Sequence, residues 1–235
     1  DFRYDANGGL ALQDISFNLQ PGEFLGITGP TGSGKSTLTQ LIPRFYDVAA
    51  GRITVNGLDV QAWDLAALRH QIAFVPQTAV LFHGTIRENL QWGKADATDE
   101  GCFQALETAQ CREFVEKLPE GLDTMVMENG KNFSGGQRQR LTIARALIRK
   151  PHLLILDDSL SALDYQTDLD LRQALARDLD SAMIIISQRV RSIQQAKEIL
   201  VLDSGRLVGK GTHEALLLSS SEYQAIVASQ EEEHD

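Results

Sequence analysis

Long apolar runs are absent from this chain of 235 residues. No uninterrupted apolar stretch reaches 18 residues, which is about the shortest length that spans a bilayer as a helix. The first residues also lack the basic and then apolar segments of a secretory signal. We therefore expect neither a membrane-spanning helix nor a signal peptide in this sequence.

Positive charge is also scarce. The chain has 22 Lys and Arg residues against 32 Asp and Glu residues, which gives a formal net charge of −10 at pH 7. Nucleic acids and anionic membrane surfaces attract basic proteins and repel acidic ones. The composition therefore argues against nucleic acid as a direct partner.

Cysteine is rare, and no histidine pair has metal-ligand spacing. Cys102 and Cys111 fall on one predicted helix that begins near Thr98. Nine residues apart on a helix, they would lie on opposite faces and could not bond to each other. We expect reduced thiols and no zinc site.

The most informative stretch that is present is residues 133–141, Phe-Ser-Gly-Gly-Gln-Arg-Gln-Arg-Leu. Chance would give Ser-Gly-Gly-Gln at roughly one position in 10⁵. Ser134 and Gln137 have the spacing of a capping box at the start of a helix that ends at Lys150. Gly135 and Gly136 leave the first N–H groups uncovered, which predicts an anion-binding surface that faces away from the core.

A second motif, Gly-Pro-Thr-Gly-Ser-Gly-Lys-Ser-Thr at residues 29–37, fits the P-loop pattern. It lies between an apolar run, residues 24–27, and a predicted helix, residues 36–45. In such a loop, backbone N–H groups surround the phosphates, Lys35 reaches the outer phosphates and Ser36 offers its hydroxyl to Mg²⁺. The predicted nucleotide-contacting residues are Gly29, Thr31, Gly32, Ser33, Gly34, Lys35, Ser36 and Thr37.

With both motifs in this order, the whole chain, residues 1–235, resembles the nucleotide-binding domain of ABC transporters. The resemblance implies ATP and Mg²⁺ as cofactors. It also implies that residues 153–157 form the Walker B strand, which brings Asp157 to a Mg²⁺-bound water, and that Gln77 of the Q-loop contacts Mg²⁺ and the attacking water.

Further nucleotide contacts follow from the resemblance. Tyr4 lies where an aromatic residue stacks on adenine, and residues 161–164 resemble the D-loop, whose Asp164 is included among the nucleotide-binding residues. The signature residues expected to contact a nucleotide are Ser134, Gly135, Gly136 and Gln137.

Two stretches resemble the exporter type within this family. Residues 81–90 resemble the segment that follows the exporter Q-loop, and Glu128-Asn129-Gly130 resembles the exporter x-loop, with Met127 in place of its usual preceding Gly. Both imply contact with the coupling helices of a membrane domain, and hence a location at the cytoplasmic face of a membrane. Because the chain opens inside an expected strand, we expect a domain excised from a longer protein whose membrane part lies N-terminal.

The sequence departs from the family at two catalytic positions. Asp158 replaces the Glu that follows the Walker B Asp, and Gln188 replaces the switch His. One methylene withdraws the carboxylate by on the order of 1 Å, and such a displacement can cost ~10²-fold in rate. Gln188 can still donate a hydrogen bond to a phosphate, but it cannot carry a positive charge.

The expected fold class is α/β: a P-loop ATPase core with a mostly parallel sheet, an N-terminal antiparallel β subdomain and a helical subdomain. The β subdomain is assigned to residues 11–23 and 51–60, and the helical subdomain to about 84–150. From Pro151 onward the pattern alternates: a strand, a helix over 164–180, a strand over 183–187, a further helix and a strand over 198–203. The acidic tail, residues 231–235, is expected to be solvated.

The resemblance implies a head-to-tail dimer in which ATP lies between one P-loop and the partner's signature. With Asp158 and Gln188 in its own site and an intact signature, the chain resembles the weakened subunit of a heterodimeric exporter, with a non-identical partner. Two alternatives stay open. One is a soluble regulatory module with negligible hydrolysis, and the other is a homodimeric exporter that tolerates Asp158.

Overall fold

A computed structural model describes residues 1–231 of the chain. The chain divides into two compact units, the first formed by residues 1–72 and 182–231 and the second by residues 73–181. The acidic tail lies outside the described residues, apart from Glu231, which ends the last helix. Within the described range, no helix is both long and apolar enough to span a bilayer.

Strands and helices alternate along most of the described chain. The strands are β1 (Phe24–Thr28), β2 (Thr54–Val55), β3 (Leu58–Asp59), β4 (Ile72–Val75), β5 (Gly84–Thr85), β6 (Met125–Val126), β7 (Leu153–Asp157), β8 (Ala182–Ile186), β9 (Glu198–Asp203) and β10 (Arg206–Gly211). The α-helices are α1 (Lys35–Leu41), α2 (Leu65–Gln71), α3 (Ile86–Gln91), α4 (Asp99–Thr108), α5 (Arg112–Glu116), α6 (Gly135–Leu147), α7 (Tyr165–Asp178), α8 (Val190–Ile193), α9 (His213–Ser219) and α10 (Ser221–Glu231).

The first unit is built on four strands in the order β10-β9-β1-β8. β1 pairs in parallel with both β8 and β9, whereas β10 pairs with β9 in the antiparallel sense. Every residue of β8 is buried, and so are the four central residues of β9. Continuous apolar runs of this kind are typical of parallel strands covered on both faces. The central strand β1 ends where the P-loop begins.

The expected N-terminal strand over residues 11–23 is wrong for most of its length. Phe2 bridges Leu12, and Gln13 bridges Arg206, but residues 14–23 form no strand. The second half of the expected β subdomain is confirmed as the hairpin β2–β3, with a turn at Asn56-Gly57. Period-two alternation alone does not produce a strand where no neighbouring strand offers a ladder of hydrogen bonds.

The second unit holds β7 beside β4, together with the helices α3 to α7. Helices α3, α4 and α5 lie within the range assigned to the helical subdomain, and the predicted helix start near Thr98 is confirmed. The placement of both cysteines on that helix is wrong, because α4 ends before Cys111, which precedes α5. Both thiols are free and buried, and burial raises the pKa of Cys111.

Candidate functional site

The P-loop, residues 29–37, joins β1 to α1 and thus has the strand–loop–helix context that its pattern requires. Gly29 has φ 143°, and a Cβ there would lie 2.0 Å from the carbonyl oxygen of Leu202. Gly34 has φ 101°, and a Cβ there would lie 2.6 Å from Leu12 Cδ2. Both positions therefore require glycine. The helix is shorter than predicted, ending at Leu41 rather than Phe45, because Pro43 has no N–H group to donate.

Lys35, the first residue of α1, directs its ammonium group back into the loop. Its Nζ donates to the carbonyl oxygens of Gly29 at 2.8 Å and Pro30 at 2.7 Å, and approaches Ser33 Oγ at 3.4 Å. The residue is only 9% exposed. At Gly32 an added Cβ would meet no atom within 4 Å, so the loop is open at this point. A positive charge held beneath an open, glycine-rich loop suits an anion such as a phosphate.

Ser36, Thr37 and Tyr4 lie beside this loop. Ser36 is exposed at the first turn of α1. The Tyr4 hydroxyl forms a 2.7 Å hydrogen bond with Thr37 Oγ1. The ring of Tyr4 packs edge-on against Phe2 and Tyr46, with centroids 4.8 and 5.3 Å apart, yet the residue stays 59% exposed. The expected adenine-stacking residue is therefore fixed in place next to the P-loop.

Gln188 follows β8 and also reaches the P-loop. Its Nε2 donates to Thr31 Oγ1 at 3.2 Å. The backbone of the same residue contacts Gln230 of α10, whose Nε2 donates to the Gln188 carbonyl oxygen at 2.6 Å. Sequence reasoning missed Gln230, because a glutamine near the end of a polar helix carries no motif.

In the second unit, the carboxylates of the predicted Walker B segment lie at the end of β7. Asp157 is buried, and Asp158 is partly exposed with φ 47°. This left-handed conformation is uncommon for residues other than glycine, and Asp tolerates it better than most. Gln77 Nε2 donates to Asp158 Oδ2 at 2.9 Å. Two of the predicted catalytic residues are therefore in direct contact.

The helix α6 begins as predicted, and its capping box is complete. Ser134 Oγ accepts from the Gln137 N–H at 3.2 Å, and Gln137 Oε1 accepts from the Ser134 N–H at 2.9 Å. Gly135 is exposed, with no heavy atom closer than 4.0 Å to an added Cβ. The first turn of this 13-residue helix thus presents uncovered N–H groups and the positive end of the helix dipole.

Asp164, from the segment that resembles the D-loop, caps α7. Its carboxylate accepts from the Thr167 N–H at 3.0 Å and from the Thr167 hydroxyl at 2.8 Å. These two hydrogen bonds, the backbone one first, lower the pKa of Asp164. The structure therefore gives this carboxylate a helix-capping role in its own unit.

Residues 81–90 form a short loop, the strand β5 and most of α3. Thr85 and Glu88 make a second capping box. The Asn89 side chain accepts from the Phe82 N–H and donates to the Phe82 carbonyl, both at 2.9 Å. Phe82 is thereby held outward against Trp92, with centroids 5.1 Å apart. Phe82 and Trp92 are 44% and 71% exposed.

The other exporter-like stretch, Glu128-Asn129-Gly130, forms a short 3₁₀ turn with Asn129 and Gly130 at positive φ.

Across residues 1–231, no three His, Cys, Asp or Glu side chains converge as a ready-made metal cluster. A metal held here would need hydroxyl and amide oxygens, or phosphates, besides a carboxylate. Such a donor set suits Mg²⁺, which keeps few protein ligands and takes the rest from substrate and water.

Comparison with protein families gives a match to the ABC transporter family over residues 12–161. The chain is 47% identical over 229 residues to YfiB of Bacillus subtilis, described as an ABC transporter ATP-binding protein; the match covers 97% of this chain and 40% of that protein. It is 41% identical over 224 residues to an ATP-dependent lipid A-core flippase of Coxiella burnetii, covering 94% of this chain and 38% of the flippase.

A solved structure, that of a bacterial Atm1-family ABC exporter with ATP bound, superposes with a TM-score of 0.92 at 38% identity. The match covers 97% of this chain and 40% of the exporter. The chain therefore has the mixed α/β fold of an ABC nucleotide-binding domain, as expected from the sequence. It spans about two-fifths of the length of these relatives.

Proposed function

The chain belongs to the ABC transporter family, and on that premise we propose that residues 1–235 form an ATP-binding and ATP-hydrolysing domain that drives export. Residues 84–150 would be its helical subdomain. Support for the exporter type comes from relatives described as a lipid A-core flippase and an Atm1-family exporter. The exporter-like segments at 81–90 and 128–130 support the same type.

The observation that carries the proposal is the position of Lys35. Its Nζ donates to two carbonyl oxygens of the P-loop, at 2.7 and 2.8 Å. The same loop would receive the phosphate. A γ-phosphate carries more charge than a neutral carbonyl, so Lys35 would exchange these partners for phosphate oxygens. Backbone N–H groups of Gly32, Ser33 and Gly34 would complete the cradle, while Tyr4 would stack on the adenine.

Mg²⁺ is the second proposed cofactor, with Ser36, Gln77 and Asp157 as its proposed ligands. When bound, it would neutralise negative charge on the phosphates and support attack by water. The hydroxyl of Ser36 is exposed at the start of α1, and Asp157 ends β7. These residues provide neutral and anionic oxygen donors, which Mg²⁺ prefers.

We propose that hydrolysis at this chain's own site is slow. Asp158 would act on the attacking water, but its carboxylate lies one methylene closer to the backbone than the family's Glu. One of its oxygens also accepts a hydrogen bond from Gln77. Gln188 would hold the γ-phosphate through a neutral amide rather than an imidazolium.

The partner proposed for α6 is a second nucleotide-binding domain, packed head to tail and not identical to this chain. Ser134, Gly135, Gly136 and Gln137 would contact the nucleotide of that partner. The exposed first turn of α6 supports this, because its N–H groups and dipole suit a phosphate that comes from outside the chain. The D-loop residue Asp164 would lie near the same nucleotide.

The proposed membrane-domain contact is the apolar surface formed by Val80, Phe82 and Trp92. These three residues are 43%, 44% and 71% exposed, and Arg145 lies over the Phe82 ring at 5.2 Å. A rigid, exposed aromatic pair is a typical anchor for a partner helix. The coupling helices of a membrane domain would bind here, which would place the chain at the cytoplasmic face of a membrane.

The test of nucleotide binding is calorimetry with Mg·ATP on the wild type and on Lys35→Ala. We expect the substitution to abolish measurable binding, because Lys35 would supply the positive charge that pairs with the outer phosphates. Lys94→Ala, which removes an exposed lysine of the second unit, is the charge-matched control and should bind as the wild type does. Unchanged affinity in Lys35→Ala, with a folded protein by circular dichroism, would contradict the P-loop assignment.

A further inference from the structure

The short helix α8 begins without a cap of its own. Arg189 occupies the N-cap position and makes no side-chain hydrogen bond to the helix. The first N–H of the helix, that of Val190, instead donates to Gln230 Oε1 at 2.9 Å. The residue that supplies this cap lies 40 residues further along the chain, in α10.

The same side chain holds the neighbouring carbonyl. Gln230 Nε2 donates to the Gln188 carbonyl oxygen at 2.6 Å. The orientation of the carboxamide is fixed by chemistry, because a carbonyl only accepts and an N–H only donates. One glutamine thus bridges both ends of the turn from residue 188 to residue 190, and it uses both of its polar groups to do so.

The buried side chain of Tyr223 anchors helix α10. Tyr223 is fully buried, and its hydroxyl lies 2.9 Å from His213 Nδ1 of α9. Desolvation raises the pKa of Tyr223 to about 12, so the hydroxyl keeps its proton. Gln230 follows Tyr223 by seven residues, about two helical turns, and so lies on the same face. Ile226 and Val227 on this face are half-buried.

The bridge ends at the P-loop. The Gln188 side chain donates to Thr31 Oγ1 at 3.2 Å, so two hydrogen bonds in series link α10 to the phosphate-binding loop through Gln230 and Gln188. Gln188 itself is exposed.

We infer that Gln230 is a positioning residue for ATP binding and hydrolysis: it fixes the backbone of Gln188 so that the carboxamide of Gln188 faces the γ-phosphate. The inference rests on the proposed function and adds α10 to the machinery of the site. Its specific consequence is a preference for ATP over ADP, because only ATP carries the phosphate that Gln188 would contact.

The test uses the full-length protein and the variant Gln230→Met, which keeps the length of the side chain and loses both hydrogen bonds. The ratio of the ADP and ATP dissociation constants should fall about 2- to 10-fold, the loss expected for one hydrogen bond. ADP affinity should stay within twofold of the wild type. Hydrogen exchange should speed up in the peptide that contains residues 188–190.

The matched control is Gln224→Met in the same helix. Gln224 Nε2 donates to the Leu217 carbonyl oxygen at 2.7 Å, so this variant also loses a glutamine–carbonyl bond, but one remote from Gln188. It should leave the ADP/ATP ratio and the exchange of residues 188–190 unchanged. An equal fall of the ADP/ATP ratio in both variants would mean that Gln230 only stabilises α10, and it would overturn the positioning role.

Failure of this inference differs from failure of the proposed function. A wild type that binds ATP, loses binding in Lys35→Ala and keeps its ADP/ATP ratio in Gln230→Met would overturn the role of Gln230 alone. A wild type that binds no ATP would overturn both.

Discussion

At the scale of single residues, Tyr4 offers two features that substitution can separate. Its ring is exposed and would stack on adenine, while its hydroxyl binds Thr37. Tyr4→Ala should weaken ATP binding by roughly 1–3 kcal/mol, taking base–aromatic stacking as the guide. Tyr4→Phe keeps the ring and should bind within about 0.5 kcal/mol of the wild type, the usual range for a substitution at an exposed position. Equal affinity in Tyr4→Ala and the wild type would leave Tyr4 a surface residue.

Some contacts between site residues could be predicted from the sequence and others could not. The motif order predicted that Gln77 and Asp158 serve one site, and they are in contact in the second unit. The left-handed backbone of Asp158 could not be predicted, because an Asp after an apolar run equally fits an ordinary strand end. Thr31 and Gln188 are 157 residues apart in sequence, and local pattern carries no information on such a distance.

At the scale of elements, the first turn of α6 separates stability from function. Gly135→Ala should keep or raise the melting temperature, because Ala favours the helix by up to about 1 kcal/mol over Gly, and no atom lies closer than 4.0 Å to the added methyl. The same methyl would project where a partner's phosphate is proposed to bind. We therefore expect weaker ATP-driven dimerisation, measured by light scattering with Mg·ATP.

Ser134→Ala is the contrasting control for that experiment. It removes the hydroxyl that accepts from the Gln137 N–H, so it should lower the melting temperature by loss of the cap as well as weaken dimerisation. A Gly135→Ala protein that dimerises as readily as the wild type would contradict the signature role of α6.

Elements that carry a capping motif or a continuous apolar run could be predicted from the sequence. The cap of α6 at Ser134 and the strand β9 have the predicted type and the predicted bounds. The strand β10 was missed, because it lies at the edge of its sheet and alternates half-buried and exposed residues with two glycines. Helices α9 and α10 were missed as well; among residues 221–230 of α10, only Tyr223 is buried.

At the scale of the whole molecule, we propose that the chain contributes to two ATP sites that differ in their catalytic residues. The signature on α6 is intact and would complete a partner's site, whereas the chain's own site would have Gln188 in place of a histidine and Asp158 in place of a glutamate. The chain spans about two-fifths of the length of its relatives. The alternative to this proposal is a homodimer that hydrolyses ATP at the full rate, and a measurement of ATP turnover distinguishes the two.

The most direct test of this account is ATP turnover by the double variant Asp158→Glu, Gln188→His, measured beside both single variants and the wild type at equal ATP occupancy. We expect the double variant to exceed either single variant, because water and γ-phosphate contacts act as one unit. The gain should fall within the 10²–10⁴-fold that a placed general base typically contributes. The melting temperature is measured alongside, because Glu tolerates the left-handed backbone of position 158 less well than Asp. A folded, ATP-binding, dimerising double variant that stays as slow as the wild type would contradict the account, and so would a wild type already as fast as domains with Glu and His.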